Sequence, residues 1–172
     1  MKKFEIPIFL IGSILMIFVM AKTGASLKTT ATPSGILNLE FAYNSQKLDN
    51  VLYAWSTGSS DIIAAAKKNT CLDFIFIFFY AGFLFLSAKA ISQLFGGLFG
   101  KAGSTIAKGA LLAGFLDILE NTGMLLSLSG QGSGTIAFLT TCCSVLKWTL
   151  VLLALLYVFT GAMGLLRSRI TR

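Results

Sequence analysis

Four apolar stretches, each long enough to cross about 30 Å of hydrocarbon, constrain this chain more than anything else in it. They run over about residues 4–27, 71–95, 104–129 and 135–166. Inside a bilayer every backbone N–H and C=O must find its partner within the protein, and apolar runs of this length do so as helices. The expected fold is therefore all-α: a four-helix transmembrane bundle, one integral membrane domain over residues 1–172. Composition agrees, with 55% hydrophobic residues and only 12% charged ones, about half the charged share of a soluble domain. A water-soluble domain and a disordered tail are excluded. The net charge of +7, from 14 Lys and Arg against 7 Asp and Glu, is spread beside the apolar runs. That is the pattern of membrane flanks, so the expected partner is the lipid bilayer and not nucleic acid.

The run Ile6 to Ala21 follows Lys2 and Lys3 and precedes Lys22. It reads as a retained helix with snorkelling lysines, or as a signal peptide with Val19-Met20-Ala21 at its cleavage site. Either places the next segment outside the cytoplasm. Lys2, Lys3, Lys89, Lys101, Lys108, Arg167, Arg169 and Arg172 fall at one end of the expected bundle, and Lys22, Lys28, Lys47, Lys67 and Lys68 at the other. The turn at 130–134 carries no charge, so the bias near helix ends puts both termini in the cytoplasm of a multi-pass inner-membrane protein.

Residues 22–70 are the one long polar stretch. Thr32 has the form of an N-cap with Pro33 at the first helical position. Leu37, Phe41, Leu48, Val51, Leu52 and Trp55 then recur at helical spacing. The expectation is an amphipathic extracytoplasmic helix over about 32–56, lying on the outer end of the bundle with Trp55 as an interfacial aromatic anchor. Ser56-Thr57-Gly58-Ser59 breaks it, and Ser60-Asp61 offers a second helix start leading into the next span.

The chain has no His, which removes bis-His haem, His-containing zinc sites and every His-activated nucleophile. Cys71, Cys142 and Cys143 contain no C-x-x-C pair and are odd in number, as expected of plain buried thiols. Gly97 to Lys101 approaches a phosphate-binding loop but fails it, because Ala102 stands where Ser or Thr is required. No metal site and no cofactor are expected.

Ionisable groups at bilayer depth cost several kcal/mol by insertion scales, so they carry the most information. Asp117, Glu120 and Asn121 share one face of the third span, continued by Gly114, Ala113 and Ala110, small residues suited to close helix contact. Lys147 lies thirteen residues after Gly134 and Asp117 thirteen before Gly130, so antiparallel pairing brings them level, within a turn of Glu120. Asp73, Tyr80 and Ser87, at steps of seven, form a polar stripe on the second span, with Tyr80 near the depth of Glu120. Three carboxylates against one lysine leave excess negative charge, which a bound proton would offset. Two readings follow: a proton-carrying or substrate-orienting centre, or an Asp117–Lys147 pair hydrogen-bonded by Asn121 and Tyr80 that fixes helix register. Glu40, on the external helix, could close over the bundle mouth toward Asp73.

Thr32-Pro33-Ser34-Gly35-Ile36 with Glu40, Asp73 with Tyr80, and Asp117-x-x-Glu120-Asn121 together resemble a pattern in small uncharacterised bacterial four-helix integral membrane proteins. The resemblance covers most of the chain and implies that these polar residues matter, but brings no activity with it. Size and span number also resemble quinone-linked disulfide oxidases of the bacterial inner membrane, whose paired external cysteines this chain lacks. Three function classes remain: an accessory or scaffold component of a membrane complex, with a membrane-protein partner or as a homo-oligomer; a proton-linked carrier or channel using Glu120, Asp117 and Lys147; and a lipid-active enzyme with Asp117 or Glu120 as general acid or base.

Overall fold

The computed structural model describes residues 4–57 and 61–170, and all the regular structure among them is helical. Lys2, Lys3, Gly58, Ser59, Ser60 and Arg172 lie outside the described residues. Four helices are long and apolar enough to cross a bilayer: α1 (Glu5–Thr23), α4 (Ile62–Leu94), α5 (Gly97–Leu126) and α6 (Gly134–Ile170). The chain is thus a multi-pass membrane protein. Two short helices, α2 (Ile36–Glu40) and α3 (Ser45–Ser56), lie between α1 and α4.

Helices α4, α5 and α6 pack against one another as an antiparallel trio, with the small residues of α5 at the contacts. Ala107, Ala110, Ala113 and Gly114 are buried, and a Cβ added to Gly114 would sit 3.0 Å from that of Ala81. In lipid, where helices gain nothing by hiding apolar surface from tails, such close approach supplies the dispersion contact that holds them. Gly130, at φ 82°, reverses the chain between α5 and α6 in a backbone region that glycine enters without strain.

Helix α1 packs along α4 and makes no comparable seam with α5 or α6. Its early Pro7 falls in the first turn, where a missing N–H costs nothing. The seam is reciprocal: the Phe79 ring of α4 lies over Gly12, and the Phe9 ring of α1 lies over Gly82. At the C-terminal end of α1, Asn69 Nδ2 donates to Thr23 Oγ1 at 2.7 Å and to Met20 O at 2.9 Å, a carbonyl that also accepts from Gly24 N.

The polar connection departs from the sequence expectation. Thr32 is no N-cap: α2 starts later, after Gly35 at φ 62°, and the Thr32 hydroxyl is buried, donating to Leu27 O and accepting from Trp55 Nε1 at 3.0 Å. Trp55 is no interfacial anchor either; it is fully buried, packed with Leu27 and Leu39, and its indole N–H finds internal acceptors in Thr32 Oγ1 and Leu27 O. The single helix over 32–56 is two helices. The chain breaks at Phe41 to Asn44, where Asn44 Oδ1 accepts from Lys47 N at 2.8 Å and caps α3. Leu48, Val51 and Trp55 of α3 then pack with Leu27, Leu39, Met124 and Leu128.

Helix α2 sits deeper than α3. The Glu40 carbonyl accepts from Thr141 Oγ1 at 2.9 Å and Ser144 Oγ at 3.4 Å, whereas Ser45 lies against Gly134, at the start of α6. From Ser45 back to Glu40 the chain therefore descends along α6 by about two turns, roughly 10 Å. Those hydroxyls serve a backbone carbonyl that the short helix leaves unpaired. The descent carries the Glu40 side chain into the bundle.

Candidate functional site

Lys147, on α6, is the centre of the polar interior and only 5% exposed. Its ammonium donates to Asp117 Oδ1 and to Glu120 Oε1, both at 2.9 Å. Glu40 Oε2 stands at 3.8 Å, an ion pair without a short hydrogen bond. Spacing on α5 puts Asp117 and Glu120 one turn apart on the face turned to α6, and the antiparallel register brings Lys147 between them. Tyr80 of α4 donates its hydroxyl to Asp117 Oδ2 at 2.7 Å, so both oxygens of that carboxylate are engaged.

A second pair adjoins the first. Asn121 Nδ2 donates to Asp73 Oδ2 at 2.7 Å; the expected bond from Asn121 to the Asp117–Lys147 pair is replaced by this one. Among the described residues no Lys or Arg reaches ion-pair distance of Asp73. Glu40 does not reach toward Asp73 with its own hydrogen bond: its carboxylate accepts from Trp148 Nε1 at 3.4 Å and faces Lys147. The structure thus gathers every candidate, Asp73, Tyr80, Asp117, Glu120, Asn121, Lys147 and Glu40, into one centre. Ser87, the third member of the α4 stripe, is buried without a hydrogen-bond partner and takes no part in it.

Sequence reasoning missed Trp148, Thr141, Ser144 and Asn69. Trp148 adjoins Lys147 and Asn69 adjoins Lys68, but their partners lie 108 and 49 residues away. Only the descent of α2, which no local spacing signals, makes Thr141 and Ser144 meaningful.

The centre forms one wall of a cavity of about 540 Å³. Glu40, Asp73, Asp117, Asn121 and Lys147 face it from one side; Glu120 lies behind Lys147 and is fully buried. The rest of the lining is mostly apolar, with Leu10, Ile14 and Ile17 beside Ser13 on α1, and Val151 and Leu155 about one and two turns along α6 from Lys147. Helices α1 and α6 flank this space without a packed seam between them. Ile14 and Leu155 line it and are still 45% exposed, so it opens sideways through the belt of apolar helix surface. Two buried polar atoms at the centre have no hydrogen-bond partner, Glu120 Oε2 and Asn121 Oδ1.

Chemically, two of the three lysine N–H groups are engaged by Asp117 and Glu120, and the next acceptor, Glu40 Oε2, stands at 3.8 Å. The free capacity of the site lies in carboxylate and amide oxygens. Among the described residues no three His, Cys, Asp or Glu side chains converge as a metal site requires. The three cysteines are free thiols, Cys71 facing outward. No family model, curated protein or solved structure matches this chain.

Proposed function

We propose that this protein binds an amphipathic, apolar-tailed molecule drawn sideways from the bilayer, with the polar end at the Lys147 centre and the tail between α1 and α6. The observation that carries the reading is the cavity itself. One space of about 540 Å³ has a charged inner wall and an apolar mouth whose lining residues Ile14 and Leu155 continue onto the outer helix surface. Ligand sites are typically concave and largely apolar with a few convergent polar groups, and this volume is in their usual range of about 300–1,000 Å³.

On this reading the protein sits in a bacterial inner membrane with α2 and α3 on the extracytoplasmic side and both termini in the cytoplasm. The distribution of Lys and Arg supports that orientation, as does the polar connection gathered at the uncharged end of α5 and α6. Glu40 and Trp148 then close the site from the outside, so that a ligand head is shielded from water while its tail stays continuous with lipid. Such shielding strengthens every charge–charge contact at the head.

Native mass spectrometry on protein gently extracted from its own membrane tests the reading. A stoichiometric apolar-tailed adduct is expected, and it is expected to disappear in the Ile14→Trp/Leu155→Trp variant, which fills the mouth with side chains that already face outward. Protein that is adduct-free in both forms, or adducts that persist equally in the variant, would contradict it.

A further inference from the structure

Resting on that reading of the cavity, the geometry points to a ligand of one chemical class: we propose that the head is a primary ammonium on an apolar tail, seated against the hydrogen-bonded Asp73 and Asn121. Four carboxylates, Glu40, Asp73, Asp117 and Glu120, surround a single Lys147. Three of them hold that lysine, and among the described residues no Lys or Arg reaches ion-pair distance of Asp73. Asp73 and Asn121 both line the cavity.

Asn121 supplies the second, independent observation. Its side chain is fully buried and its Oδ1 has no partner. With Asp73 ionised, only the nitrogen end of the amide can donate to it, which sets the amide orientation. The unpartnered oxygen is therefore a true acceptor beside a carboxylate, and a buried acceptor left without a donor is unfavourable. A group with several N–H donors and a positive charge satisfies both at once. A phosphate or carboxylate head would instead meet four carboxylates around a Lys147 that three of them already hold.

The neighbouring wall has the same preference. Phe76 and Tyr80 lie one and two turns along α4 from Asp73, both facing the cavity, with ring centroids 5.1 Å apart. Aromatic faces attract ammonium groups, and the attraction grows when water is excluded. Trp148 already serves Lys147 in this way, its ring 5.4 Å from the ammonium.

The source of the amine is either a lipid head group or a free long-chain amine, and one experiment separates them. Purified protein in a neutral detergent is offered dodecylamine, its N-acetyl derivative, dodecanoate and phosphatidylethanolamine at equal mole fraction, and retention is read by native mass spectrometry at pH 7, where an alkylamine is charged. Retention of dodecylamine at least about tenfold above its N-acetyl derivative and dodecanoate is expected, the order expected of a charge-assisted head-group contact. Phosphatidylethanolamine retained alongside it assigns a lipid source, and dodecylamine retained without it assigns a free amine. In Asp73→Asn, with thermal unfolding recorded as the check on folding, the preference over the N-acetyl compound is expected to collapse toward unity.

Equal retention of the three C12 compounds, or preference for dodecanoate, overturns the ammonium assignment. If that equal retention vanishes in Ile14→Trp/Leu155→Trp, the cavity reading stands and only the head group is wrong. If no compound is retained, or retention ignores the filled mouth, both fall.

Discussion

Lys147 carries more of this interior than any other residue. With three carboxylates on one ammonium, its removal leaves buried negative charge uncompensated, which typically costs about 3–5 kcal/mol. Lys147→Met is expected to lower the thermal unfolding midpoint in detergent sharply, and adding Glu120→Gln to it is expected to recover part of the loss. Recovery fails if the two do not interact. Thr32 is a second such residue: its hydroxyl donates to Leu27 O and accepts from the Trp55 indole, which also donates to Leu27 O directly at 3.2 Å. Thr32→Val removes a buried donor and acceptor together, for an expected loss of about 1–3 kcal/mol, whereas Thr32→Ser keeps both. Tryptophan emission shifting to the red in the valine variant alone would report the exposed indole. Much of this was legible beforehand: Asp117, Glu120 and Lys147 follow from helical spacing and antiparallel register. Thr32 differs from the sequence expectation because Thr-Pro before a helical pattern satisfies a local rule for an N-cap, while the hydroxyl's tertiary bonds to Leu27 and Trp55 override it.

Among the elements, α1 is the one held by a single seam, and the seam is made by two glycines under two phenylalanines. Replacing glycine by alanine within a helix normally stabilises by about 1 kcal/mol. At Gly12 and Gly82 the sign is expected to reverse, because a methyl group would overlap the Phe79 or Phe9 ring, and overpacking costs about 1–3 kcal/mol. Gly109→Ala is the control: its Cβ would meet only Leu150 Cδ2, at 3.6 Å, an ordinary contact. Thermal unfolding of the three variants side by side checks this; equal behaviour would deny the interlock. The sequence did not reveal the seam because α1 is apolar on every face, so periodicity gives its membrane role and not its docking side. The same limit applies to α2. Its hydrophobic spacing continues into α3, and the break at Phe41 to Asn44 depends on the Asn44 cap and on hydroxyls about a hundred residues away.

For the whole molecule, four long apolar runs were sufficient to give an all-helical multi-pass architecture, since a bilayer permits few alternatives. They could not give the cavity, which exists because α1 leans on α4 and leaves α6 unpartnered along one side. An open, charged-walled space of this kind is costly to maintain in a small bundle, and an amphipathic occupant accounts for it. The occupant's tail must lie against Ile14, Ile17, Val151 and Leu155, while Leu152 and Leu156 of the same α6 face outward elsewhere. A lipid bearing a photoreactive group in its acyl chain, incorporated with the protein in vesicles, therefore makes the decisive label. Peptide mapping is predicted to find adducts concentrated on the four cavity residues over Leu152 and Leu156, with the excess lost in Ile14→Trp/Leu155→Trp. Labelling spread evenly around α6, unchanged by filling the mouth, would contradict a lipid-accessible binding cavity.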